Sequence, residues 1–343
     1  MNKPKVLHIV GDKKIGGVRS CLHTSIASRE LNQWDFLVLP MTEAPSVVKT
    51  WKPDLIVIHY ACTWSQLPQL LAYSQTSKIL IHEHNYSEGF TQTVPSRKRF
   101  ELLLKLSYGV SNQVVAVSQA QGQWMLEKQL VSPQKLTVIQ QCPLLDNFLT
   151  VTPKLIDRPL ILGAYGRFCV QKGFDVLLQA IKLIPDVPIQ LYIGGEGPDE
   201  SELKQLAQGL DNVKFVGRID DVPAFLQTCD VVVIPSRWEP WGNVFREAKA
   251  AAKPVIASQV DGLVEQMTDC GLLVPPDNPE KLAQAIASLI TLPQTQLETW
   301  GKNGRESVKD AWKEYLSKWK TLLSEITYLD GRNQEKKLVE ISK

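Results

Sequence analysis

PLILGAYGRFCVQKGFDVLLQAIKLIPDVPIQLYIGG, residues 159–195, decides the fold. It opens on the apolar run Pro159–Tyr165 and passes through a glycine-bounded loop, Gly166–Gly173. Phe174, Leu177, Leu178, Ile181 and Ile184 then recur at i, i+3, i+4, i+7 and i+10, which is one apolar face of a helix. A second apolar run, Ile189–Gly194, follows. Both runs are continuously apolar rather than alternating, as strands covered on both faces are. Strand, helix and strand of this kind make a parallel pair joined by a crossover helix.

The same alternation extends in both directions. Strands are expected at Lys5–Val10, Asp35–Leu39, Asp54–His59, Lys78–His82, Gln113–Val117 and Leu136–Gln140 before this stretch. Beyond it they are expected at Val213–Val216, Asp230–Ile234, Pro254–Ala257 and Gly271–Val274. Six strands, a proline-containing stretch at Thr150–Pro159 and six more describe an α/β chain of two Rossmann-like domains, residues 1–153 and 154–307. Ligands of such sheets lie beyond the carboxyl ends of the strands, so a cleft between the domains, with the sheets facing across it, is the expected site. Val308, Trp312, Tyr315, Trp319, Leu322 and Ile326 mark a final amphipathic helix over 308–329, expected to pack back on the N-terminal domain. The charged stretch 330–343 is expected to fray.

A chain of 343 residues exceeds what one core usually organises, in keeping with two domains. Its 44% hydrophobic and 22% charged residues, with 20 Gly and 21 Pro, exclude disordered, collagenous and coiled-coil classes. The net charge of +2 argues against a nucleic-acid partner held by bulk charge. That total conceals +6 over residues 1–155 and −4 over the rest. Six scattered Cys without a C-x-x-C pair suit a reducing cytoplasm. No signal core and no apolar run of the ~20 residues that span a bilayer are present, so any membrane contact is expected to be peripheral, on the inner face. The one segment suited to it is Arg97-Lys98-Arg99 leading into Phe100–Leu106, residues 97–106, which also reads as a helix covering the sheet.

Four motifs carry chemistry. In Glu239–Glu247 two carboxylates flank a short segment that opens a helix after the strand Asp230–Ile234. Free N–H groups at a helix start attract phosphate, and carboxylates beside them accept from sugar hydroxyls. Glu247 as a surface acid and Glu239 as a cap is the plainer alternative. In Gly166–Gly173, Arg167 and Lys172 sit five residues apart on a βα loop, where they can clamp a diphosphate or simply be solvated. Gly16-Gly17 follows the first strand, allowing close backbone approach to a ligand or a tight turn. Neither half holds a G-x-G-x-x-G, so a nicotinamide or flavin cofactor is not expected. His82-Glu83-His84 ends the fourth strand with no further Cys or His at metal-site spacing nearby. Hydrogen bonding to a sugar or phosphate is therefore expected there and no metal; His8, His23 and His59 read as core or surface residues.

Taken in order, these segments resemble glycosyltransferase family 4, retaining enzymes of the GT-B fold. Pro235–Glu247 is similar to the family's E-x7-E segment, and Gly166–Gly173 to its G-R-x4-K-G loop. Gly194–Pro198, Phe215–Gly217, Asp230–Ser236, Pro254–Ser258 and Gly271–Pro276 follow in the family's order, and Val115–Ser118 matches a strand end of its first domain. The resemblance implies an acceptor-side first domain and a nucleotide-sugar-binding second domain. It implies that Arg167 and Lys172 hold the donor diphosphate, that Glu247 accepts from the ribose, and that Glu239 binds the transferred sugar beside the Trp241, Gly242, Asn243 and Val244 backbone. Gly16, Gly17 and Arg19 would approach the donor phosphate or sugar. One of His82 and His84 would meet the donor sugar, and Ile219 would lie by the base. Gln141-Cys142-Pro143 departs from the family's usual Asn-Gly turn, and Asp220-Asp221 is not a metal-binding D-x-D.

The implied reaction is a metal-independent, cofactor-free transfer with retention. It moves a hexose or N-acetylhexosamine from a nucleotide diphosphate sugar, UDP-sugar favoured, to a glycan, lipid-linked or small-molecule acceptor. The leaving phosphate takes the acceptor proton, and preorganised cations stabilise its charge. A nucleotide-sugar epimerase of the same fold and a non-catalytic nucleotide-sugar-binding protein stand as alternatives.

Overall fold

The computed structural model describes residues 3–11, 17–153 and 159–341, with backbone alone for 17, 18 and 329–341. The chain divides into two compact units. One comprises Met1–Tyr86, Phe90–Gln141 and Lys313–Lys343; the other comprises Ser87–Gly89 and Cys142–Trp312. Each is built on a six-stranded sheet whose pairings are all parallel.

In the first unit β1 (Lys5–Val10), β2 (Asp35–Pro40), β3 (Leu55–Ile58), β4 (Lys78–Glu83), β5 (Gln113–Ala116) and β6 (Leu136–Val138) lie in the order β2-β1-β3-β4-β5-β6. In the second, β7 (Leu160–Tyr165), β8 (Ile189–Gly194), β9 (Val213–Gly217), β10 (Val231–Ile234), β11 (Val255–Ser258) and β12 (Gly271–Val274) lie in the order β12-β11-β10-β7-β8-β9. The strands fall on the expected apolar runs. β6 stops at Val138 rather than Gln140: it is an edge strand, and Pro143 beyond it offers no N–H to extend the ladder.

Composition explains the parallel arrangement. Every residue of β3 and of β10 is buried, which only a sheet covered on both faces permits. The helix Phe174–Lys182 supplies one cover: Leu177, Leu178 and Ile181 are at most 1% exposed and pack with Leu162, Ala164 and Leu191. Each such side chain contributes roughly 1.5–3 kcal/mol of apolar burial.

Strand order also fixes where function can collect. The second sheet grows outward from β7 to β9, then resumes on the other side of β7 with β10. The first reverses between β1 and β3. At such switch points the loops leaving adjacent strands diverge and open a crevice beyond the carboxyl ends.

The last helix runs Ala311–Ile341, past the point where the charged tail was expected to fray. The tail's Gln, Glu, Lys and Leu are good helix formers, and no Pro interrupts them. From Lys313 onward this helix belongs to the first unit. There it buries Tyr315, Leu316, Trp319, Leu322 and Leu323, and Thr327 Oγ1 accepts from Trp34 Nε1 at 3.0 Å. Among the described residues no helix is long and apolar enough to cross a membrane.

Candidate active site

β7 and β10 are the neighbours at the second unit's switch point, and the two loops that leave them are pressed together. Gly173 ends the first loop at φ +63°, and a Cβ there would lie 2.1 Å from the Pro235 carbonyl oxygen in the second. Only glycine fits both the conformation and the space. The Arg237 N–H donates to the Gln171 carbonyl at 2.8 Å, and Gln171 Nε2 donates to the Trp238 carbonyl at 3.1 Å. The Arg237 guanidinium forks onto Asp175 at 2.8 and 2.6 Å and pairs with Asp277 at 2.6 Å. Burial alone would raise the Asp175 carboxyl; the Arg237 fork overrides it and holds it below its ordinary value. Sequence reading passed over Arg237 and Asp175, although each lies two residues from a motif position, Glu239 and Gly173.

The seam between these loops brings sequence-predicted site residues together. Lys172 Nζ is ion-paired with Glu239, which is 7% exposed and also accepts from Ser236 Oγ at 3.4 Å. The Glu239 N–H donates to Asp261 Oδ2 at 2.9 Å, which fixes the carboxylate's backbone. Arg167 is exposed and has no hydrogen-bonding or ionic partner among the described residues. Gly195 closes on the same loop, since a Cβ there would lie 1.9 Å from the Gly166 carbonyl oxygen. Ile219 packs at the end of β8, where a Cβ on Gly194 would lie 2.1 Å from its Cδ1.

The helix Asn243–Ala250 starts after Gly242, whose φ of +88° turns the chain and which offers no side-chain cap. The first N–H groups of the helix have no intrahelical acceptor, and its dipole adds partial positive charge at that end. Trp241 is buried beneath the Arg246 guanidinium, 4.8 Å from the ring centre, and its carbonyl accepts from Gln266 Nε2 at 2.5 Å. Asn243 and Val244 are half-buried. One turn on, Glu247 Oε2 accepts from the Tyr165 hydroxyl at 2.7 Å. Burial pushes the Glu247 carboxyl above its ordinary range, with Tyr165 and Lys172 opposing it. Tyr165 was not singled out from sequence; its place as the last residue of β7, just before the motif loop, was the available signal.

The remaining sequence candidates lie in the first unit. Gly16 falls outside the described residues, Gly17 opens the helix Gly17–Ile26, and Arg19 is half-buried on it. His82, 2% exposed, lies edge-on to Trp319 with ring centres 4.9 Å apart. His84 is half-buried and 3.8 Å from His82 between ring centres. His8 and His59, expected to be ordinary core or surface residues, join them. His8 Nδ1 lies 2.9 Å from His59 Nε2, His59 Nδ1 lies 3.1 Å from His84 Nε2, and His84 Nδ1 lies 3.2 Å from Gln141 Oε1. Strand register brings them together. His8 pairs with Val57 across β1 and β3, and Ile58 pairs with Ile81 across β3 and β4, so His59 and His82 follow as neighbours. Burial holds all four rings neutral, lowering His8 to about 3 and His84 to about 4.

A carboxyl whose pKa is raised by folding binds its proton more tightly in the folded state, so stability falls as pH rises through that interval. Glu247→Gln removes the penalty and keeps an oxygen for Tyr165. The variant is expected to melt higher than wild type at pH 7, with the gap closing as pH drops toward the ordinary carboxylate range. Thermal melts across pH 4–8 check this; a gap independent of pH contradicts it.

Residues 159–291 match the family model for glycosyl transferases group 1. The uncharacterised glycosyltransferase MJ1178 of Methanocaldococcus jannaschii is 36% identical over 156 residues, 43% of each chain. The chain thus spans less than half the length of that curated relative. The capsular polysaccharide biosynthesis glycosyltransferase CapM of Staphylococcus aureus is 28% identical over 262 residues, 68% of each chain. Anabaena HepE, solved in complex with UDP and glucose, superposes with a TM-score of 0.75 at 20% identity, covering 94% of this chain and 99% of that one. Residues 159–291 thus resemble the group 1 glycosyl transferases, and the two parallel-sheet units of the chain have the GT-B fold.

Proposed function

We propose that the chain transfers a hexose or N-acetylhexosamine from a nucleotide diphosphate sugar, with retention, to a glycan, lipid-linked or small-molecule acceptor. One observation carries the donor half of this reading: the Lys172–Glu239 pair lies between the loop bearing Arg167 and the uncapped start of the helix Asn243–Ala250. Arg167, Lys172 and the helix-terminal N–H groups supply positive charge for a leaving diphosphate, in a role a divalent ion fills elsewhere. Glu239 and Glu247 are acceptor-only when ionised, suited to sugar and ribose hydroxyls respectively. Ile219 offers an apolar edge for the base. UDP is the favoured nucleotide, supported by the UDP that HepE binds.

In the reaction so read, the bond from the anomeric carbon to the diphosphate breaks first. The acceptor hydroxyl attacks from the face that the diphosphate leaves, and a phosphate oxygen takes its proton. Glu239, committed to Lys172 and Ser236, serves as a positioning acceptor for the sugar rather than a covalent nucleophile.

A lipid-side partner draws support from the helix Arg97–Val110. Leu102 and Leu106 are 50% and 43% exposed on it, beside exposed Arg97, Lys98, Arg99 and Lys105, and Arg99 lies over the ring of Trp64. Basic side chains around exposed apolar ones suit an anionic membrane surface.

UDP is expected to raise the melting temperature more than GDP or ADP, because a ligand that binds only the folded state stabilises by mass action. Lys172→Ala should lose about 10²–10³-fold in transfer rate, the size of one preorganised charge contact. Failure of every nucleoside diphosphate to shift the melt overturns the donor reading. In pelleting assays, vesicles with anionic lipid should retain wild type at low salt and release Leu102→Ser/Leu106→Ser; equal retention of both refutes the surface.

A further inference from the structure

The first unit carries a histidine cluster, two members of which, His82 and His84, are the family resemblance's candidates for contact with the donor sugar. Nitrogens of His59, His82 and His84 lie within 4.8 Å of one another, one ligand atom from each ring. Among the described residues both ring nitrogens of His82 are buried without a hydrogen-bond partner, as is His8 Nε2. The rings border a cavity of about 20 Å³ that Cys21, Tyr315 and Trp319 also line, room for about one water-sized occupant.

The geometry points to a buried divalent transition-metal site in which His59, His82 and His84 are the ligands and Gln141 and His8 hold two of them in position. Tetrahedral coordination with metal–nitrogen bonds of about 2.0–2.1 Å sets ligand nitrogens about 3.3 Å apart. His59 Nδ1 and His84 Nε2 stand 3.1 Å apart, close to that edge. The partners of their other nitrogens are those a metal ligand needs. With Gln141 Oε1 accepting from His84 Nδ1–H, His84 Nε2 carries no proton and is free to ligate. His59, ligating through Nδ1, carries its proton on Nε2 and donates it to His8 Nδ1. Without a metal, the same rings form a chain in which His59 donates to His84 and His8 donates to His59. Metal binding therefore needs only a tautomer change at His59 and His8, with no net proton released.

The third ligand, His82, gains in coordination the partner it lacks among the described residues. An unsatisfied buried polar group costs about 1–3 kcal/mol, and one ion meets that need together with the His59–His84 contact. Three neutral imidazoles select zinc-class ions rather than magnesium or calcium, which take oxygen ligands. The cavity leaves the fourth position for a water or hydroxide. The ion would tie the carboxyl ends of β3 and β4 to each other beneath the helix that carries Trp319.

The test titrates Co²⁺ into the full chain, purified without a histidine tag and stripped with a chelator. The expected result is about one equivalent bound with intense tetrahedral visible bands, displaced by Zn²⁺, and a higher melting temperature with either ion. Gln141→Leu should weaken Co²⁺ binding by about 10–100-fold, as loss of an orienting partner does. His59→Ala/His84→Ala should abolish the bands. Absence of visible bands and of any melting shift in folded wild type overturns the site and leaves the hydrogen-bonded histidine chain as the resting structure. Equal Co²⁺ binding by wild type and Gln141→Leu overturns the assignment equally, and because wild type decides the matter alone, a variant that fails to fold does not rescue it.

Discussion

The closeness of Gly173 to the Pro235 carbonyl sets the geometry on which the candidate site of the second unit depends. A side chain at residue 173 would force the loops after β7 and β10 apart, and with them the cation on one and the carboxylate on the other. The Arg237 fork onto Asp175, the Gln171 contacts and the Lys172–Glu239 pair all span the same seam. The seam sits where strand order makes adjacent loops diverge, so topology opens the crevice and glycine narrows it.

Charge placement follows from that geometry. Glu239 is buried enough that an unpaired carboxylate would be costly, and Lys172 neutralises it. Under the proposed function a diphosphate would offer Lys172 a stronger, doubly charged partner and a sugar would offer Glu239 hydroxyl donors, exchanging one ion pair for two better-matched sets of contacts. Glu247 stands differently: burial pushes its carboxyl above the ordinary range while the Tyr165 hydroxyl and Lys172 oppose the shift, so the ionised carboxylate is held at some cost to stability.

The fold was legible because parallel strands buried on both faces must be continuously apolar, and all twelve runs announced themselves in that way. Motif loops were legible for a related reason, since each follows a strand and opens a helix. Groups defined by a partner far along the chain were not. Tyr165, Asp175 and Arg237 act through pairing with residues 62 to 82 positions away, which local spacing does not encode. The histidine cluster shows the same limit more sharply. His82 and His84 looked like an incomplete pair, because His8 and His59 come from strands whose adjacency only the order β1-β3-β4 reveals.

The central claim, that Lys172 serves the diphosphate and Glu239 serves the sugar, is tested most directly by calorimetric binding of UDP and of UDP-glucose to wild type and Glu239→Gln. The account predicts that the variant keeps wild-type affinity for UDP, or gains some as Lys172 is released, while losing at least tenfold for UDP-glucose relative to UDP, about 1.4 kcal/mol. Equal weakening of both ligands would contradict it, because Glu239 would then act on the nucleotide or on the fold rather than on the sugar.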